Sequence, residues 1–326
     1  MLNLEVTAIY LLTIYIIAFP YGYIICRYID RNKKIKYAFS KYPPAITFPF
    51  YVTLGLIILT IILFFISIID INIYILILMT LSIWATIIIM VARGSKEVLI
   101  FSKKNLREST IVALCFIVTF AYVVFIISYW KWPPIGDLVS HGFYTSIILY
   151  NSKILFTWEP YSTKPIHMPI GFHIFVAYIC KLMKIYPGES IFLLGGAVIV
   201  LIPIMLYSIT YIYTKSSLYS IITFLSSYLI YFYHMEHWFF GYFFNGPYPC
   251  MLGFLMFFAF IFIIGIEDVE LMRADKNYVI LLLIVICIIG ILLEYPPFAI
   301  FPIILIILRT INTKKLLILI LKKFFN

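Results

Sequence analysis

The side chains in this sequence that can do chemistry are few, and they come in small groups. Asp137 and His141 stand four residues apart in "WPPIGDLVSHGF", so on a helix they share one face. An acid at that place can cap the helix or carry charge in its first turn. In a partly dry cavity it can instead serve as a general base or bind a cation. His167 and His173 follow in "KPIHMPIGFH", separated by Pro169 and Gly171. That spacing can bring two imidazoles near each other but matches no zinc signature. A lone interfacial histidine is more often a hydrogen-bonded structural residue than a ligand, a reading that suits His167 better than His173. Glu236 and His237 lie among aromatic residues in "YHMEHWFFGYFFNGPYP", and Glu294 closes an apolar run in "LLEYPPF". An aromatic cleft with a few polar groups suits a sugar ring or a lipid phosphate. The motifs HExxH, GxSxG and CxxC are absent.

These residues must be positioned by apolar helices. Of the 326 residues, 64% are hydrophobic and 12% charged, and the mean hydropathy is +1.08. A soluble domain carries about 25% charged residues. The excess, spread over many runs near the length of a membrane crossing, predicts an all-α polytopic membrane protein. Nine spans are expected, near 6–26, 46–69, 72–92, 110–130, 190–213, 217–233, 248–266, 278–293 and 297–310. The last starts at a double proline, which favours a tilted or re-entrant segment. The whole chain, 1–326, reads as one membrane domain: N-terminal helices over 1–109, a core over 110–310 and a basic tail over 311–326. No polar segment is long enough to bury a core of its own. The N-terminus lacks a basic stretch, so the first span is expected to be a retained helix. The five cysteines lie mostly inside apolar runs and read as small buried hydrophobes.

A net charge of +10 could attract nucleic acid, but its distribution argues against that partner. All of the 24 Lys and Arg residues except Lys131, Lys153, Lys164, Lys181 and Lys184 fall in loops that alternate spans place on one side. Basic loops of this kind face the cytoplasm. The expected arrangement is a multi-pass protein of the cell membrane with its N-terminus outside and C-terminus cytoplasmic. All five histidines then lie outside, together with Asp137, Glu159, Glu189, Glu236 and Glu294. The cytoplasmic loops read as orientation signals and little else. The large outer loop, 131–189, holds two stretches of helical periodicity, "DLVSHGFYTSIILYN" and "PIGFHIFVAYICKLMK". Both are expected to be amphipathic helices lying along the outer interface.

Taken together, "GDLVSHGFYTSIILYNSKILFTWEP", "HMPIGFH", "FFNGPYPCMLGF" and "LLEYPPF" resemble the GT-C superfamily of membrane glycosyltransferases. The likeness covers roughly residues 110–310 and is nearest to the prokaryotic branch related to oligosaccharyltransferases and O-mannosyltransferases. It implies transfer of a sugar from a polyprenyl-phosphate donor to a protein or lipid acceptor at the outer membrane face. By the same resemblance Asp137 is the catalytic base. His141, Trp158, Lys164, His173, Glu236, His237, Asn245 and Glu294 are contacts for substrate, with His141, His173 or Lys164 offsetting the donor phosphate. Some members use a divalent metal ion held by acids; this chain has a single Asp at 137 and no DxD pair, and no cofactor is otherwise implied. Three spans precede the one leading into the acidic loop, where the best-known members have one. Two other readings stand beside this one. One is a lipid or polyprenyl-phosphate binding or transport protein without chemistry; the other is a metal-dependent membrane hydrolase, which needs three ligands at tetrahedral distances.

Overall fold

The computed structural model describes residues 3–30, 39–68, 73–92, 103–129, 137–157, 164, 170–233, 248–270 and 278–310. Their elements are all helical: α1 (Leu4–Asp30), α2 (Pro44–Ser67), α3 (Ile73–Ala92), α4 (Lys103–Tyr129), α5 (Asp137–Asn151), α6 (Ile170–Met183), α7 (Pro187–Thr214), α8 (Ser217–Tyr233), α9 (Tyr248–Glu270) and α10 (Tyr278–Glu294), then a 3-10 turn (Pro296–Ala299) and α11 (Ile300–Thr310). Five stretches among the described residues are long and apolar enough to cross a membrane: Leu4–Asp30, Pro44–Ser67, Leu106–Tyr129, Pro187–Thr214 and Pro249–Ile266. Tyr74–Met90, Ile170–Met183, Ile280–Glu294 and Pro296–Ile307 are shorter apolar helices. The chain is therefore an all-helical, multi-pass membrane protein in its length and composition. The basic tail, 311–326, lies outside the described residues.

The bundle is built around α7, which packs on α1, α2, α4, α5, α6, α8 and α9. Its sequence is apolar on every face, and a helix of that kind is buried. Gly196 lets α4 and α1 come close, since a Cβ there would stand 2.5 Å from Ile127 and 3.5 Å from Leu11. The tightest crossing joins α1 and α2. A Cβ on Gly22 would lie 1.9 Å from the Tyr51 carbonyl oxygen, and one on Gly55 would lie 1.8 Å from that of Ala18. Ala18 and Gly22 on one helix, and Gly55 on the other, thus put backbone against backbone, the small-residue contact that brings membrane helices together.

Proline leaves a second mark on α1. Pro20 lies inside the helix and has no N–H, so the carbonyl of Ile16 loses its helical donor. The indole Nε1 of Trp84 on α3 donates to that carbonyl at 3.0 Å, and α3 is held where the ladder is broken. Tyr15 likewise donates to the Ala197 carbonyl at 2.9 Å and ties α1 to α7.

Contacts between loops fix which helix ends lie together. At one end, Asp30 accepts from the N–H groups of Phe39 and Ser40 at 2.8 and 2.9 Å. Lys215 there donates to the Tyr42 hydroxyl at 2.8 Å. Ser217 donates to Glu108 at 2.5 Å, and Tyr207 donates to its other oxygen at 3.3 Å. The segments after α1, before α4 and between α7 and α8 therefore share an end, the grouping that their basic residues require. Glu108, in one of the segments read as mere orientation signals, is a buried acid that joins α4 to α7 and α8. At the opposite end the Ile154 N–H donates to the Ser67 carbonyl at 2.9 Å.

One expectation is corrected here. α5 is amphipathic, with His141, Tyr144, Thr145, Ile147 and Ile148 buried and Val139, Phe143 and Tyr150 exposed. α6 is not: every residue from Gly171 to Cys180 is buried, among α2, α3, α5, α7 and α10. A helix covered on all faces cannot lie along an interface. Its short length and the helical spacing of its apolar residues suggested a wet face, but His173 and Tyr178 face other helices instead of water. The cysteines match their reading: Cys26, Cys180 and Cys287 are buried, Cys115 and Cys250 half-buried, and none is in a disulfide.

Candidate functional site

Asp137 is the first residue of α5, the place of a first-turn acid; its side chain lies outside the described part. One turn later the buried stripe of α5 starts with His141, 8% exposed, and it faces His173 of α6, 0% exposed. His141 Nδ1 and His173 Nε2 are 2.8 Å apart. The ring centroids are 4.9 Å apart, close to the roughly 5 Å expected when two ring nitrogens point straight at each other in a hydrogen bond. Two imidazoles converging on one metal ion at an angle need a wider gap between their nitrogens. The pair is thus hydrogen-bonded, one nitrogen carrying the proton and the other accepting it. Neither of these two nitrogens is open to a substrate or a metal ion.

Aromatic rings hold the pair in place. Phe172 stands edge-on to His141 with centroids 5.8 Å apart, and Tyr144 stands edge-on to His173 at 4.8 Å. The Tyr144 hydroxyl donates to the Leu155 carbonyl at 2.8 Å, closing the loop after α5. Burial pushes its phenol up to about 12, so it remains a neutral donor.

Glu294, the last residue of α10, is wholly buried. Its Oε1 accepts from the Thr60 hydroxyl of α2 at 3.0 Å. It stands 3.1 Å from the point a Cβ on Gly171 would occupy, with Thr60 Cγ2 at 2.8 Å from the same point, so a side chain where α6 begins would press on both. Three motifs separated along the chain, "GDLVSHGF", "PIGFH" and "LLEYPPF", therefore meet around the start of α6.

The remaining candidates divide plainly. Lys164 is exposed. Trp158, His167, Glu236, His237 and Asn245 lie outside the described residues. Glu189 reaches back to the Tyr186 N–H at 3.3 Å and serves the start of α7. Thr60 and Tyr144 escaped notice in the sequence. Thr60 interrupts the long apolar run of α2, and a lone hydroxyl in such a run marks a helix contact. Among the described residues no three His, Cys, Asp or Glu side chains stand close enough to hold a metal ion. The two facing imidazoles are engaged with each other, so these residues do not fit one.

A side cleft of about 510 Å3 opens between the exposed faces of α1 and α3, with α6 at its floor. Its lining is apolar apart from hydroxyls and the indole of Trp84; Tyr10, Thr13, Thr80 and Tyr178 supply the hydroxyls. No family model, no curated protein and no solved structure matches the chain. The likeness to the GT-C superfamily accordingly rests on the sequence motifs alone.

Proposed function

We propose that the chain is a GT-C-type membrane glycosyltransferase of nine spans, transferring a sugar from a polyprenyl-phosphate donor to a protein or lipid acceptor at the outer membrane face. The supporting observation is the buried His141–His173 hydrogen bond, which joins the helix that starts at Asp137 to the helix of the "PIGFH" element. In this reading Asp137, one turn before His141, takes the proton from an acceptor hydroxyl or amide. The acceptor atom bonds to the anomeric carbon of the sugar, and the bond from that carbon to the phosphate oxygen breaks. The electron pair leaves with the polyprenyl phosphate, whose charge Lys164 and the far side of the His141 ring offset. His173, wholly buried, is a positioning residue that fixes the His141 ring. The cleft beside α6 suits an isoprenoid chain, being apolar and open to lipid.

The test is Asp137→Asn expressed in the native host, with glycan mass read on surface glycoproteins and glycolipids. A positioned general base is worth roughly 10²–10⁴ in rate, so product at the variant's normal expression level falls below detection or nearly so. Unchanged glycans at normal protein levels sink the assignment. The cleft also favours a second reading, lipid binding without chemistry. On that reading native mass spectrometry finds a polyprenyl phosphate on both wild type and Asp137→Asn, while glycans stay unchanged.

A further inference from the structure

The break between α10 and the following 3-10 turn gathers oxygen atoms deep in an apolar bundle. Proline occupies positions 296 and 297, and proline has no N–H to give. The carbonyl of Leu293 therefore loses both helical donors within its reach, three and four residues on. The Tyr295 N–H is already spent on Ile291 at 2.7 Å, and that of Phe298 on Tyr295 at 3.0 Å. The Leu293 carbonyl oxygen lies 3.0 Å from the Cβ position of Gly171, beside Glu294 Oε1 at 3.1 Å from the same point. The other carboxyl oxygen, Glu294 Oε2, is buried and has no hydrogen-bond partner among the described residues. The contrast with Pro20 is instructive, because there Trp84 supplies the missing donor.

Among the described residues the Thr60 hydroxyl is the group that donates a hydrogen bond to Glu294, and the Leu293 carbonyl close by is a further acceptor. An acceptor-rich pocket holding a carboxyl group in apolar surroundings calls for positive charge. Broken helices that turn freed carbonyls onto a buried acid are one way membrane proteins hold small cations. We infer that Glu294, Thr60 and the Leu293 carbonyl form a buried site for a small monovalent cation, either a proton or a sodium ion. Among the described residues, the titratable groups on the adjoining ends of the surrounding elements are His173 of α6, engaged with His141, Tyr295 at the break and Cys250 of α9; α2 brings Thr60. None of them is an acid that could share the charge. The inference is independent of the transferase reading and stands or falls without it.

The experiment uses the full chain, purified in detergent. Tm is recorded from mildly acidic to mildly alkaline pH in sodium, potassium or choline chloride at equal ionic strength, for wild type and Glu294→Gln. If the site takes a proton, wild type is stabilised on acidification whatever the salt. If it takes sodium, wild type is stabilised at alkaline pH by sodium alone, and the effect saturates. In both cases Glu294→Gln loses the dependence. Identical pH and salt profiles for wild type and variant overturn the inference. Should the variant fail to fold, dicyclohexylcarbodiimide labelling of wild type, read by mass spectrometry, decides the question. Glu294 is modified at acidic pH, and sodium slows the reaction if it competes for the site; no labelling under any of these conditions overturns the inference.

Discussion

The His141–His173 hydrogen bond sets the strongest constraint at the scale of single residues. Both rings are buried, and they belong to different helices, 32 residues apart in the chain. Removing either partner strands a buried ring nitrogen, which costs about 1–3 kcal/mol. His141→Leu and His173→Leu should therefore each destabilise the protein by that amount. The double variant should cost less than the sum by about 1 kcal/mol or more, since it leaves no orphan behind. Denaturant or thermal unfolding in detergent measures all three, and strictly additive losses refute a direct bond. The sequence marked both histidines but paired neither with the other. It offered His167 for His173 and Asp137 for His141, because local spacing reports faces within one element. A contact across a long loop depends on how α5 and α6 dock, and no residue pattern within either helix encodes that. Glu294 shows the same limit: its acid was visible, while its partner Thr60 lay more than two hundred residues away.

Among the elements, periodicity located the helices well and their surroundings less well. α5 has the one-sided burial its pattern predicts, whereas α6, which has fewer polar residues, is enclosed from Gly171 to Cys180. Histidine and tyrosine on α6 are satisfied by neighbouring side chains, so they no longer signal contact with water. Glycine carries the opposite lesson, since nothing local distinguishes Gly22 and Gly55 from the other glycines in apolar runs. Their importance comes from the crossing of α1 and α2, where an added Cβ would stand within 2 Å of a carbonyl oxygen of the other helix. Backbone atoms cannot swing aside as a flexible side chain can, so the helices themselves must part. Gly55→Ala is expected to destabilise the bundle by roughly 1–3 kcal/mol, the range for overpacking, and to lower the yield of folded protein. Gly142→Ala on α5, where a Cβ meets nothing within 4 Å, is the matched control and should be neutral or slightly stabilising. Equal Tm values for the two variants would show that α1 and α2 do not cross this closely.

For the molecule as a whole, charge and hydropathy told most, because both act through the bilayer rather than through particular neighbours. A basic loop need not touch anything specific to be held on one side. The structure brings three such segments to one end through Lys215 with Tyr42 and Ser217 with Glu108. The start of the loop after α5 belongs to the other end, where Ile154 meets Ser67. Sidedness can therefore be read at two exposed positions, Lys153 and Thr214. In a background whose cysteines are replaced, Lys153→Cys should react with a membrane-impermeant maleimide on intact cells. Thr214→Cys should react only after the membrane is opened. Labelling of both positions on intact cells would place the two ends on one side and break the alternation on which the spans rest. The reversed result would put the basic loops outside, and with them would turn Asp137, His141 and His173 towards the cytoplasm. A transferase drawing on a donor at the outer face could not then work with this site, so the orientation measurement bears directly on the proposed chemistry.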